Sequence, residues 1–246
     1  MTATGRVAAE FRAGWLAFVR RRTAVFFTFL FPVILIVIFG ALVRTGTGGL
    51  FSEPPAYYVP GYLAVVVLFT PLSRVSSTVA RHREGRRFEK LSTTPLTRYE
   101  WLLAHSLVNV VLVGAACIVV LVIALVLTGA EFVLSPLLIP FVGLGAVLFC
   151  GVGAILGRLA DSQDGAVAAS NAIGLPLLFL SETFVPPAML PAWFRPAIAL
   201  SPLTYFARGA RAAVLGEPGW GSSLLVLAVL AVVAFGLGAA LLPWRS

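Results

Sequence analysis

Long, nearly uninterrupted apolar blocks constrain this chain more than any motif in it. A helical span needs roughly 20 mostly apolar residues to cross about 30 Å of hydrocarbon at 1.5 Å per residue. Several blocks here reach that length, at about 24–43, 58–79, 102–127, 134–157, 166–181 and 222–243. A soluble core has no use for runs of this kind. Composition agrees: 59% of the 246 residues are apolar and 11% charged, against about 25% charged in soluble domains. The mean hydropathy is +0.98. The expected fold is therefore an all-α integral membrane protein with about six transmembrane helices, forming a single transmembrane domain over residues 1–246.

Three segments outside those blocks carry their own pattern. Residues 5–22 alternate apolar and basic positions at helical spacing, with Val7, Phe11, Trp15 and Phe18 on one face and Arg12 and Arg20 to Arg22 on or near the other. This predicts an interfacial amphipathic helix on the membrane surface. Residues 81–100, RHREGRRFEKLSTTPLTRYE, are the most polar stretch. Residues 182–220 contain Pro186, Pro187, Pro191, Pro196 and Pro202. They predict one or two short re-entrant or interfacial helices, because non-helical backbone at membrane depth must be sheltered by protein or water. Pro32 lies inside the first block, and Arg74 stands near the end of the second, within snorkelling reach of the interface.

Local signals mark boundaries. Thr97 and Glu100 form a T-x-x-E capping box before the third block. Gly153 and Gly157 are a GxxxG pair suited to close helix packing in lipid. With a cytoplasmic N-terminus and six spans, fourteen Lys and Arg residues fall on the cytoplasmic side and four on the other. That asymmetry predicts both termini inside a bacterial cytoplasmic membrane.

Catalysis finds no support. A phosphate-binding loop needs a lysine after its glycines, and Lys90, the only lysine, follows no glycine loop. His82 and His105 stand outside any zinc-protease pattern, and no G-x-S-x-G occurs. No catalytic or metal-ligating residue is expected. Cys117 and Cys150 lie within apolar blocks and read as small buried hydrophobes. The net charge of +8 sits beside apolar runs, which fits contact with membrane lipid and not with nucleic acid. Within 81–97, Glu84, Phe88 and Leu91 fall at i, i+4 and i+7, so a short helix there has one mixed face that can fit a partner's groove or be a solvated basic loop. Polar residues inside blocks, Asn109, Ser170 and Asn171, are expected to face the bundle interior, with Pro176 positioned to break the fifth helix near them. Glu182 is an acid at the end of an apolar run, set to pair with an arginine of 195–211 or to sit among headgroups.

The stretch RHREGRRFEKLSTTPLTRYEWLLAH resembles the cytoplasmic signature of ABC-2 type exporter permeases, at Arg83, Glu84, Gly85, Glu89, Leu91, Thr94, Pro95, Leu96 and Thr97. A second likeness is FLSETFVPPAMLPAWFRPAIALSPLTYFARGAR, at Phe179 to Ser181, Phe184, Pro186, Pro191, Trp193, Ser201, Pro202, Thr204 and Tyr205. Within the family the chain is most similar to permeases of the daunorubicin and multidrug-resistance kind. It departs at Arg86-Arg87-Phe88, where small and aliphatic residues are common. The resemblance implies a homodimer, each copy paired with a separate ABC ATPase that holds ATP and Mg. It implies a coupling helix using Arg83, Glu84, Gly85, Phe88, Glu89, Leu91 and Pro95, and outward export of a drug- or antibiotic-like amphipathic compound along a path for which Asn109, Ser170, Asn171, Pro176 and Glu182 are the candidates. A permease for polysaccharide or lipid-linked glycan, and a membrane anchor or assembly subunit, remain alternatives.

Overall fold

The computed structural model describes residues 2–44, 54–129, 135–184 and 195–244. They form ten helices: α1 (Ala3–Val19), α2 (Arg22–Arg44), α3 (Pro55–Glu84), α4 (Arg87–Ser92), α5 (Arg98–Thr128), α6 (Leu138–Leu159), α7 (Gln163–Phe179), α8 (Arg195–Leu200), α9 (Pro202–Leu215) and α10 (Trp220–Leu241). Four of these, α3, α5, α6 and α10, are long and apolar enough to cross a membrane. The chain is a multi-pass membrane protein. The other two expected spans coincide with α2, of 23 residues, and α7, of 17. At 1.5 Å per residue α7 reaches only about 26 Å.

Helix α3 is the hub. Pro55 occupies its first turn, where the missing N–H costs nothing. From Tyr58 to Leu68 its residues are buried on every face. It packs most extensively on α6, and α6 in turn on α10. Glycines set both distances. A Cβ on Gly153 would stand 2.7 Å from Leu72 O, and one on Gly157 would collide with Ser76 O. The GxxxG pair thus presses α6 onto α3. On another face of α6, Gly151 and Gly238 bring α10 equally close. Because apolar side chains gain little by leaving lipid for one another, such backbone proximity carries much of the association.

The helix ends differ from their expected places in instructive ways. Helix α3 runs on to Glu84, so Arg81, His82 and Arg83 belong to its last turns and not to a separate loop. Helix α5 starts where the capping box places it: Thr97 N donates to Glu100 Oε2 at 2.8 Å, and Glu100 N to Thr97 Oγ1 at 3.3 Å. Helix α1 forms as expected, but its apolar stripe is covered by protein. Phe18 is buried against Val108 and Leu112 of α5, with Phe11 and Trp15 alongside. Two polar contacts fix the same pairing, Arg6 with Glu100 and Glu10 with His105. The amphipathic face is therefore an intramolecular one, while Arg12 and Arg20 to Arg22 point outward.

The proline-rich segment contains α8 and α9, with residues 185–194 outside the described ones. Helix α9 is amphipathic and turns Leu203, Phe206, Ala210 and Val214 into the core. Cys117 and Cys150 are both buried.

Candidate functional site

One end of the bundle gathers α4, the last turns of α3 and α10, the start of α5 and the α6–α7 turn. Gly85 ends α3, and Arg86 takes a left-handed φ of 49°. Such a backbone is uncommon for a residue with a Cβ. It reverses the chain so that α4 folds back beneath α3.

The residues expected to share an outward face are divided by this turn. Phe88 is 2% exposed. Its ring lies 5.5 Å from His82, 5.3 Å from Trp101 and 5.8 Å from Trp244. Trp101 meets His105 at 4.1 Å with the rings tilted by 41°, and His105 reaches Glu10 of α1 at 3.3 Å. Leu91 is half-buried against the same cluster. A six-residue helix has no stability of its own, so Phe88 holds α4 to the bundle. Two ring nitrogens here, His82 Nδ1 and Trp101 Nε1, are buried without a hydrogen-bond partner among the described residues. Ring packing, not hydrogen bonding, keeps this cluster together.

Arg83 and Glu84 point across to the α6–α7 turn. Both terminal nitrogens of Arg83 donate to carbonyls at the α6 C-terminus, those of Arg158 and Ala160. Glu84 Oε1 accepts the Gln163 N–H at 2.9 Å at the first residue of α7. Cation and anion thus meet helix ends of opposite partial charge. What α4 presents outward is Gly85, Arg86, Arg87, Glu89 and Lys90, continuing to Thr94 and Pro95. Beside it an open cleft of about 630 Å³ is lined by Thr94, Pro95, Arg98, Tyr99, Leu242 and Trp244. Arg98 closes one side by donating to Ala240 O at 2.9 Å. Hydrogen bonding to Glu100 pushes the Arg6 guanidinium above its usual range.

The candidate transport-path residues part company. Asn109 is buried, accepting from Arg74 Nε at 3.1 Å and donating to His105 O at 2.8 Å. Ser170 is buried and pairs with Ser76 at 2.7 Å, tying α7 to α3. Both are spent on helix–helix contacts. Asn171 and Pro176 face outward from α7. Pro176 does not break the helix, which continues to Phe179, and Leu180 N donates to Pro176 O at 2.7 Å. At the other end of the bundle Glu182 is 4% exposed. Arg208 clasps its carboxylate with two bonds, one of 2.7 Å. Arg211 donates to Glu182 O at 2.6 Å and lies 4.0 Å over the Tyr57 ring. The Glu182 contact pushes the Arg208 guanidinium up.

Sequence reasoning did not foresee the Trp101–His82–Trp244 cluster or the Arg74–Asn109 bond, since their members come from α3, α5 and the segment after α10. The advance signals were Arg74 and Asn109 themselves, a charge and an amide inside apolar blocks.

The polar turn between long spans is thus buttressed from inside and charged outside. The pattern of the ABC-2 type transporter family matches residues 6–215. The chain belongs to that family. It is also similar to Nodulation protein J of Sinorhizobium fredii (strain NBRC 101917 / NGR234), with 27% identity over 196 residues, covering 77% of this chain and 74% of that protein. The permease is thus the membrane subunit of a transporter and not itself an ATPase. Members of the family work with a separate ABC ATPase, which hydrolyses the ATP.

Proposed function

We propose that this permease exports a hydrophobic or amphipathic, drug- or antibiotic-like compound, and that ATP binding and hydrolysis by a separate ATPase reach it through α4. The single observation that carries the coupling part is the division of labour at α4: Phe88 buried within the bundle, and Arg86, Arg87, Glu89 and Lys90 exposed. An ATPase moving the outer face would press Phe88 on Trp101 and His82, and would move the α6–α7 turn through Arg83 and Glu84. The α4 end then faces the cytoplasm, in keeping with the arginine asymmetry, and two copies of the permease meet one pair of ATPase subunits.

The preference for an amphipathic compound rests on the family likeness of the motifs and on the apolar, outward face of α7, where Asn171 and Pro176 lie among Ile173, Leu175 and Phe179. The test is purification of the tagged permease from its native membrane in mild detergent. A stoichiometric P-loop ATPase should accompany it and be lost when residues 85–91 are scrambled. Intact permease with no such partner would sink the coupling role of α4.

A further inference from the structure

Most arginines that the fold draws inward have their forks filled. Arg208 has the Glu182 carboxylate, Arg211 the Glu182 and Tyr57 carbonyls, and Arg83 the carbonyls of Arg158 and Ala160. Arg74 differs. It stands ten residues inside the end of α3, roughly 15 Å along the helix, on a helix long and apolar enough to span. Its Nε is used by Asn109 at 3.1 Å, and its guanidinium lies 4.4 Å over the Phe18 ring. Its two terminal nitrogens find no acceptor among the described residues.

The surroundings are cationic as well. Phe18 ends the docked stripe of α1, and Arg21 N donates to Phe18 O at 2.8 Å, so the Arg20 to Arg22 corner adjoins the residue whose ring the Arg74 guanidinium covers. Arg21 and Arg81 bear electrostatically on Arg74, and Arg21 also on Arg81. Arg81 has only a long bond, 3.4 Å, to Thr78. No carboxylate contacts any of the three among the described residues. Arg74 and Arg81 are half-buried and Arg21 is exposed; like charges there repel, and an unpaired guanidinium drawn inward forfeits hydration. An anion with several oxygens relieves both costs, since the guanidinium fork suits phosphate.

We propose that this corner binds the phosphate of an anionic lipid headgroup in the adjoining leaflet, with the Arg74 fork as the deep contact and Arg21 and Arg81 at the rim. The same corner exposes Leu16 and Val19, 40% and 48% accessible, which gives acyl chains an apolar wall. A freely soluble phosphate would have no use for that wall. The site stands independently of the α4 reading, because its ligand comes from the bilayer and not from an ATPase.

The test uses the full chain in mild detergent and native mass spectrometry with added phosphatidylglycerol or phosphatidylcholine. Wild type should retain phosphatidylglycerol preferentially. The double variant Arg21→Gln/Arg81→Gln, which leaves the Phe18 and Asn109 contacts intact, should lower that retention roughly tenfold. Arg74→Lys, which keeps the charge but loses the fork, should lower it several-fold. A thermal transition of each variant unchanged without lipid shows that folding is preserved. Equal retention of the two lipids, or full retention by the double variant, would overturn the proposal. Stabilisation by inorganic phosphate matching that by phosphatidylglycerol would overturn the lipid assignment in favour of a soluble anion.

Discussion

Arg83 and Glu84, neighbours at the end of α3, engage opposite ends of two successive helices: the arginine holds the carbonyls that close α6, and the glutamate accepts the N–H of Gln163 that opens α7. The pair makes the α3–α4 turn and the α6–α7 turn one unit. Displacing one displaces the other, and both lie at the end of the bundle proposed to meet the ATPase.

Replacing Glu84 tests that unit. A carboxylate at an exposed helix N-terminus contributes about 0.3–1 kcal/mol, too little to unfold the protein. Glu84→Gln together with Glu89→Gln should leave membrane levels unchanged while ATP-driven export falls strongly. Export in inverted vesicles, set against immunoblotted protein, is the measurement, and wild-type export by the double variant would refute the role.

Phe88 and Arg87 should separate stability from coupling. Truncating a buried phenylalanine costs about 3–5 kcal/mol, so Phe88→Ala should lower the thermal midpoint in detergent markedly. Arg87 is exposed, and Arg87→Ala should stay within about 0.5 kcal/mol of wild type while weakening retention of the ATPase. The contrast is lost if the two variants behave alike in both assays.

The glycines of α6 give a packing test with an internal control. A Cβ on Gly157 meets the Ser76 backbone, whereas one on Gly143 meets nothing within 4 Å. Gly157→Ala should destabilise by about 1–3 kcal/mol, and Gly143→Ala should be near neutral. Thermal unfolding followed by tryptophan fluorescence would compare them. Equal midpoints would mean that α6 and α3 do not meet at Gly157.

At the far end, Glu182 and Arg208 form a pair whose carboxylate is buried and whose guanidinium side chain is 45% exposed. Breaking a fully buried pair costs about 3–5 kcal/mol, and the wet guanidinium reduces that to roughly 1–2 kcal/mol. Glu182→Gln should be the worse single change, because it also strips Arg211 of its nearby anion. The double variant Glu182→Gln/Arg208→Gln should recover part of the loss. A double-mutant cycle on thermal stability checks this, with strict additivity as the contrary result.

Properties set by neighbours along the chain were legible from the residues alone. The lengths of the apolar runs announced the helices α3, α5, α6 and α10, because crossing hydrocarbon demands an apolar length that depends on nothing distant. The capping box at Thr97 and Glu100 placed the start of α5 through atoms three residues apart. The GxxxG pair announced a close approach, because only small residues permit one. The polar stretch and its family motifs pointed to the end of the molecule proposed to meet a partner.

Which way each side chain turns was decided by tertiary structure. Glu84 finds its acceptor role 79 residues away, and Arg98 reaches a carbonyl 142 residues away. Phe88, expected on an outward face, is drawn inward because Trp101, His82 and Trp244 leave an aromatic hollow that only the assembled bundle creates. The amphipathic stripe of α1 reads the same whether it meets lipid or protein, and Val108 and Leu112 settle it for protein. Asn109 turns inward and Asn171 outward for the same reason. A polar residue on an apolar helix has no local preference strong enough to choose its face, and the choice falls to whichever neighbouring helix can complete its hydrogen bonds.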